Sequence, residues 1–260
     1  MKHFIFKFVV NLVLSVFIAA VVFTSISIKA STRSESIAFL EKVRHPRKMK
    51  TWARLFGLMM HKARRRRSKQ KTIKFSLRFT EEMILAQVVV GDSEEIYSIG
   101  QPYSGKTSEV SIIREKGEGK ESILKRNFGV RPEDLTMSFL FWKYKLELHK
   151  TTLKGQCSRV FLLAQPDSDR IAKVYISEKY LFPLKVEWAS LVNGRLTNTK
   201  RTLEVDSFKK VNGLWLVDTL LFYGSGWRTK VSFSKCDAGF VSDGTPKDLF
   251  KIPERINKTE

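Results

Sequence analysis

The chain has 260 residues and a formal net charge of +21, from 47 Lys/Arg against 26 Asp/Glu, with four His and two Cys. That length holds one large domain or two small ones with ample surface to bury a core. So few His and Cys argue against a metal centre, and the basic excess points to an anionic surface or nucleic acid as partner unless it is merely a solvated face.

At the N-terminus, Lys2 and Lys7 precede an apolar run over 8–23 that is broken only by Asn11 and Ser15. A polar stretch follows and ends in the small residue Ala30. This is the pattern of a secretory signal peptide over 1–30, which would export the rest of the chain. Ile28 is bulkier than the usual residue three positions before such a cleavage point, so an uncleaved membrane anchor is the alternative. No Cys lies near the cleavage point, so the chain is not lipidated there.

Over 34–44, Ile37, Leu40 and Val43 recur at helical spacing behind Ser34 or Ser36 as N-cap, and Pro46 ends the helix. Residues 48–63 fit two patterns. Met49, Trp52, Phe56, Met59 and Ala63 suit a basic amphipathic helix, whereas Trp52, Arg54, Phe56, Leu58 and Met60 suit a strand. The block 41–74 carries fourteen Lys/Arg and one acidic residue, with Arg64, Arg65, Arg66 and Arg67 in one run. If 48–63 is a strand, that run is a hairpin tip before the alternating Ile73, Phe75, Leu77 and Phe79.

Strands are predicted at 84–90, 95–99, 109–114 and, less cleanly, 122–126, with a glycine-rich acidic loop between the last two. Pro132 opens a helix whose first turn holds Glu133 and Asp134, and whose apolar stripe is Leu135, Phe139 and Leu140. Strands resume at 144–152 and 159–165. In the latter, Phe161 and Leu163 are apolar as well as Val160, Leu162 and Ala164, so both faces should be covered.

From 171 to 235 the pattern is a β-meander. Tyr180, Phe182, Leu184, Val186 and Trp188 point one way against Pro183, Lys185 and Glu187. Turns fall at Asn193-Gly194, Asn212-Gly213 and 224–226. Trp227, Val231 and Phe233 form the apolar face of the last strand. The tail, 240–260, reads as a loosely docked strand or coil. Two cysteines in an exported chain permit one disulfide, and a small buried thiol is the other use; spacing alone does not choose.

One nucleotide motif needs weighing. Gly100-Gln101-Pro102-Tyr103-Ser104-Gly105-Lys106-Thr107 fits the P-loop pattern, and Leu214-Trp215-Leu216-Val217-Asp218 resembles its metal-binding partner strand. A P-loop needs a helix N-terminus after its lysine. Here the chain alternates like a strand, so a hairpin turn is expected. No G-x-S-x-G is present, and carboxylates such as Glu187 and Glu204 fall on polar strand faces. No enzyme, cofactor or metal is expected. Nineteen Phe, five Trp and six Tyr instead give the sheet an apolar face that must be covered, by its own helices as a closed core or around an apolar ligand.

Several segments resemble outer-membrane lipoprotein-sorting proteins of the LolA/LolB-like superfamily. They are Val130-Arg131-Pro132-Glu133-Asp134-Leu135, Phe139-Leu140-Phe141-Trp142 and Leu153-Lys154-Gly155-Gln156-Cys157-Ser158-Arg159-Val160. Further on, Phe182-Pro183-Leu184-Lys185-Val186-Glu187-Trp188, the run 202–209 and Gly226-Trp227-Arg228-Thr229-Lys230-Val231 join them. The likeness covers roughly 52–235 and favours a strand at 52–61. It implies a mainly β (α+β) fold: a strongly curved antiparallel half-barrel of about ten or eleven strands with a helical lid, forming a single lipid-binding domain over 31–260 with a helical lead-in at 31–50.

The resemblance also implies a periplasmic, non-enzymatic carrier of lipoprotein acyl chains or other lipids, working with inner- and outer-membrane sorting partners. A lipid-sensing or surface-binding envelope module without cargo transfer is the alternative, and nucleic acid is not expected. The binding wall would then be Phe75, Leu77, Phe79, Val88, Tyr180, Phe182, Leu184, Val186, Trp188, Trp227, Val231 and Phe233. Arg64, Arg65, Arg66 and Arg67 would meet an anionic membrane surface. In such carriers an arginine of the barrel holds the lid closed; Arg54 and Arg78 are the candidates.

Overall fold

The structure is a computed structural model, and it describes residues 32–44, 50–91, 95–104, 108–114, 122–192 and 195–250. The expected signal peptide over 1–30, the expected turn at Asn193-Gly194, Lys106 and residues 251–260 lie outside the described residues.

Among the described residues, thirteen strands alternate in the way the apolar pattern demands. They are β1 Thr51–Ala63, β2 Lys69–Phe79, β3 Met83–Val90, β4 Glu95–Pro102, β5 Glu109–Arg114, β6 Lys143–Leu153, β7 Gln156–Ala164, β8 Arg170–Ser177, β9 Pro183–Val192, β10 Arg195–Leu196, β11 Arg201–Val211, β12 Leu214–Gly224 and β13 Trp227–Phe240. Among the described residues they are accompanied by the short helices α1 Arg33–Val43, α2 Ile123–Phe128 and α3 Pro132–Leu135, with 3-10 turns at Ser138–Phe141 and Val241–Asp243. All ladders are antiparallel, in the order β5-β4-β3-β2-β1-β13-β12-β11-β9-β8-β7-β6, with β10 on β9. The sheet curves without closing, so β5 and β6 are its two edges. This is a half-barrel with two more strands than the pattern indicated.

The sheet is joined in the middle by its longest pair. β1 lies along β13 from Thr51↔Phe240 to Ala63↔Trp227, with one bulge after Phe56. Gly57 sits at that bulge because a Cβ there would come within 2.0 Å of the Ser232 carbonyl oxygen. The ambiguity at 48–63 is thereby resolved as a strand: its apolar residues are shared between two faces of a covered sheet, which blurs period 2 into something helix-like.

Two expectations fail in the segment between β5 and β6. Residues 122–126 form no strand, because Ser122 accepts a hydrogen bond from the Lys125 N–H at 3.1 Å and caps α2. Gly129, at φ 66°, ends that helix. The helix from Pro132 is only four residues long. Asp134 closes its first turn by accepting from the Arg131 N–H at 3.0 Å, and Met137 then turns left-handed at φ 54°. That break lets Phe139, Leu140, Phe141 and Trp142 all be buried, which one regular helix with a polar side would not allow.

Elsewhere the local chemistry holds. Asn212 and Gly213 make the expected positive-φ turn at 48° and 82°. Of the P-loop look-alike, residues 100–102 lie in β4 and 105–107 lie outside the described residues; the next element is β5, antiparallel to β4, and not a helix. The end of the chain up to Phe250 is docked more tightly than expected: Arg54 pairs with Asp248 at 2.8 Å, Trp52 donates to the Gly244 carbonyl at 2.8 Å, and Leu249 is buried. Cys157 on β7 and Cys236 on β13 are both free thiols, with β12, β11, β9 and β8 between them, too far apart for a bridge.

Candidate functional site

The inner face of the half-barrel follows from register. Leu55 pairs with Phe75, Phe75 with Val88, and Val88 with Tyr97. On the other half, Val231 pairs with Leu220, Leu220 with Val205, Leu203 with Val186, Val186 with Val174, and Val174 with Phe161. Since side chains in ladder register share a face, these apolar residues form one continuous wall. All belong to a single buried cluster.

Of the twelve predicted wall residues, Phe75, Val88, Val186, Trp188, Val231 and Phe233 belong to this cluster, and Leu77, Phe79, Phe182 and Trp227 pack against it. Leu184 is buried but stands apart from it. Tyr180 is the exception. It lies in the turn before β9 and is 54% exposed, because the strand begins three residues later than its alternation implied. Its period-2 match to Phe182 is a coincidence of the turn.

Among the described residues, the wall is covered by residues 122–142, which connect the two edge halves across the mouth of the half-barrel. Phe128, Leu135, Phe139, Leu140, Phe141 and Trp142 all join the same cluster as the wall. Phe139 meets Trp188 edge-on at 5.8 Å, and Phe141 meets Tyr103 at 5.5 Å. Helix α1 covers the far end, with Leu40 and Val43 buried and Phe39 stacked on Phe161 at 5.8 Å.

Polar clasps hold these pieces against the wall. Arg201 of β11 ion-pairs with Asp134 of α3, donates to the Gly129 carbonyl at 3.3 Å, and lies 4.2 Å over the Trp188 ring. Arg44, just after α1, donates to the Leu140 and Trp142 carbonyls at 2.7 and 2.9 Å. Arg159 of β7 pairs with Glu147 of β6 at 2.6 Å, and Ser36 of α1 donates to the same carboxylate at 2.6 Å. Burial pushes the Glu147 carboxyl up, but the Arg159 guanidinium and the Ser36 hydroxyl together hold it below its ordinary value. Of the candidates for a lid-holding arginine, Arg54 lies opposite Ser76 on β2 and pairs with Asp248 near the end of the described chain, while Arg78 of β2 lies opposite Trp52. Sequence reasoning missed Arg159, although a guanidinium inside the apolar run Val160-Phe161-Leu162-Leu163 is a visible signal. Arg201 left no such mark.

In the gap between the sheet edges, a pocket of about 200 Å³ is lined by Val110 of β5, by Glu133, Asp134 and Trp142 of the plug, and by Arg170 and Trp188. Burial and the neighbouring Asp134 carboxylate push Glu133 up. A second pocket of about 410 Å³ lies at the β1–β2 tip, where Arg64 and Arg66 approach α2 and the β12–β13 turn. Arg65 and Arg67 do not line it. Among the described residues, no group of three or more His, Cys, Asp or Glu could hold a metal ion, and no helix is long and apolar enough to cross a membrane.

No protein-family model and no curated relative matches the chain by sequence. Among solved structures, a DUF1329 family protein from Desulfovibrio piger ATCC 29098 overlays with a TM-score of 0.61 at 12% identity, over 77% of this chain and 91% of its own. A putative outer membrane lipoprotein-sorting protein domain from Vibrio parahaemolyticus gives a TM-score of 0.61 at 16% identity, over 81% and 94%. A LolA superfamily protein from Nitrosomonas europaea covers 87% of this chain and 97% of its own at 13% identity, but its TM-score of 0.45 is too low to carry an argument. Identities this low speak for the fold alone, and the fold is LolA/LolB-like.

Proposed function

We propose that this chain is an exported carrier that takes lipid or lipoprotein acyl chains onto its inner wall by displacing its own plug, and that it is not an enzyme. The observation that carries the reading is the construction of the plug. Its helical pieces are six, four and four residues long, far below the length at which a helix is stable by itself. The plug therefore owes its place to the apolar contacts it makes and to a few clasps. An acyl chain can replace the first, and water the second.

The magnitudes are compatible. Burying an acyl chain gains about 0.8 kcal/mol per methylene, so a chain of about fifteen methylenes gains roughly 12 kcal/mol. Six large plug side chains, at about 1.5–3 kcal/mol each, give up roughly 9–18 kcal/mol on leaving the wall. The exchange lies close to balance, as reversible loading and release require. The lipoprotein-sorting description of the Vibrio parahaemolyticus neighbour supports this cargo class. A periplasmic location with hand-over partners at the inner and outer membranes belongs to the same proposal.

Displacement of a fluorescent fatty acid by unlabelled lipid, with mass spectrometry of lipid co-purified from the cell envelope, tests the reading. Saturable binding that quenches or shifts Trp188 emission is expected. A protein that arrives lipid-free and binds no acyl probe at any concentration below micelle formation would leave the inner face as a closed core.

A further inference from the structure

The arginine run at the β1–β2 tip is not uniform. Arg64 and Arg66 turn toward a pocket that is also lined by Lys125 and Arg126 of α2 and by Ser225 and Trp227 of the β12–β13 turn. Arg65 and Arg67 do not line it. No Asp or Glu is among the lining residues, and Arg64, Arg66 and Arg126 have no carboxylate partner among the described residues. Two chain segments distant in sequence, the β1–β2 tip and α2, thus bring three arginines to one concavity with no carboxylate partner for them among the described residues. Such crowding is unfavourable in the free protein and is relieved by an anion.

The pocket has a fixed frame. Trp227 is wedged between Gly129 and Gly224, where an added Cβ would come within 2.5 and 2.2 Å of its ring. The Arg64 N–H is tied to the Gly226 carbonyl at 2.8 Å, and Lys69 of β2 holds Asn127 of α2 at 3.0 Å. His61 lines the floor, bonded to Thr229 at 2.8 Å. The Lys125 and Leu124 carbonyls of α2 accept from the Gly129 and Val130 N–H groups at 3.0 and 3.1 Å, and the Phe128 carbonyl accepts from the Thr229 hydroxyl, which ties the end of α2 to the frame.

We propose that this pocket binds the phosphate group of an anionic lipid headgroup at the rim of the half-barrel. Guanidinium pairs suit phosphate oxygens because they donate two parallel hydrogen bonds, and about 410 Å³ has room for a headgroup beyond the phosphate itself. A tryptophan at the edge of the pocket suits the polar–apolar boundary such a headgroup occupies. The proposal stands whether or not the inner wall takes acyl chains.

The test compares R64Q/R66Q with R65Q/R67Q, two variants that remove equal charge from one loop. Co-sedimentation with phosphatidylcholine vesicles, with and without one-fifth phosphatidylglycerol, reads lipid binding. Titration with inorganic phosphate, followed by the His61 ring resonances, reads the pocket directly. Each basic group at an anionic surface is worth about 1 kcal/mol, or about fivefold, so R64Q/R66Q should lose roughly 25-fold on the anionic vesicles and the phosphate response at His61. R65Q/R67Q should lose a few-fold and keep that response. Equal losses in the two variants would make the tip a diffuse charge and overturn the proposal. Phosphate binding without any preference for the anionic vesicles would assign the pocket to a soluble phosphate ester and overturn the lipid assignment. All four arginines are exposed, so both variants should fold, and matched thermal unfolding confirms it.

Discussion

Arg159 on β7 and Glu147 on β6 form a two-point ion pair, 2.8 Å from Nε to Oε1 and 2.6 Å from Nη2 to Oε2, with side chains only 10% and 7% exposed. Ser36 of α1 donates to the same carboxylate, so this pair is the polar anchor of the helix that closes one end of the inner face. Removing one member of a buried pair strands the other, at a cost of about 3–5 kcal/mol. Glu147→Gln should lower stability by an amount of that order and raise hydrogen exchange over 33–43 before the sheet opens.

The pH dependence of that anchor has a definite sign. Burial raises the Glu147 carboxyl, but the Arg159 and Ser36 contacts outweigh it and hold the folded value below the ordinary 4.5. The stabilisation is therefore fully present above pH 4.5 and is lost as pH falls through the lower folded value. The opening of α1, read from amide protection factors, should be flat above pH 4.5 and rise as pH falls through the lower folded value. Glu147→Gln should abolish that rise. An identical acid profile in the variant would move the pH sensitivity elsewhere.

How much of this was legible beforehand depended on which interactions decide each element. Phe75, Leu77 and Phe79 alternate cleanly, and period 2 alone places them on the inner face. Tyr180 alternates equally well with Phe182, yet the turn after Ser177 carries it into solvent, and no pattern in the strand marks where pairing begins. The pattern over 122–142 suggests one strand and one longer helix; the run 139–142 is apolar on all sides because it is surrounded, which local periodicity does not encode. The Arg64 and Arg66 pocket needed the tertiary approach of α2 and the Gly226 turn, so from sequence the four arginines looked alike.

The β1–β13 bulge gives a stability prediction. At Gly57 a methyl group would meet backbone atoms, the Ser232 carbonyl at 2.0 Å and the Phe233 Cα at 2.8 Å, and neither can rotate away. Gly57→Ala should therefore destabilise by roughly 2–3 kcal/mol, the upper part of the range for overpacking. Gly155→Ala is the comparison: its Cβ would meet nothing within 4 Å, but φ is 71°, so only the left-handed conformational cost of about 1 kcal/mol applies. Chemical denaturation of the two variants checks the order.

The thiols offer a simple chemical check. A hydrogen bond to the Glu178 carboxylate pushes the Cys157 thiol up, with burial adding to it, whereas burial is the leading cause for Cys236. Thiolate is the reactive form. Both cysteines should titrate as free thiols in denaturant, and in the native protein exposed Cys157 should react first, but more slowly at pH 8 than an unperturbed thiol. An intact Cys157–Cys236 bridge on non-reducing peptide mapping would contradict the strand order.

Arg201 separates a carrier from a closed core. It pairs with Asp134, reaches the Gly129 carbonyl and covers the Trp188 ring, so Arg201→Ala releases the plug from the wall at its middle. In either reading the variant loses stability, by about 3 kcal/mol as for other buried pairs. The readings part on ligand. If acyl chains bind the wall after the plug leaves, the apparent dissociation constant is the intrinsic one divided by the fraction of open protein. Loosening the plug by even about 1.4 kcal/mol then tightens apparent acyl binding about tenfold, with faster uptake. If the inner face is only a core, the same change lowers the unfolding midpoint and gains no affinity. Fatty-acid probe titration and thermal unfolding on wild type, Arg201→Ala and Arg201→Lys resolve this. Arg201→Lys keeps the charge but loses the flat guanidinium over Trp188, and should fall between the two. A carrier shows stability and acyl affinity moving in opposite directions across the three proteins; if they fall together, acyl binding does not proceed by displacement of the plug.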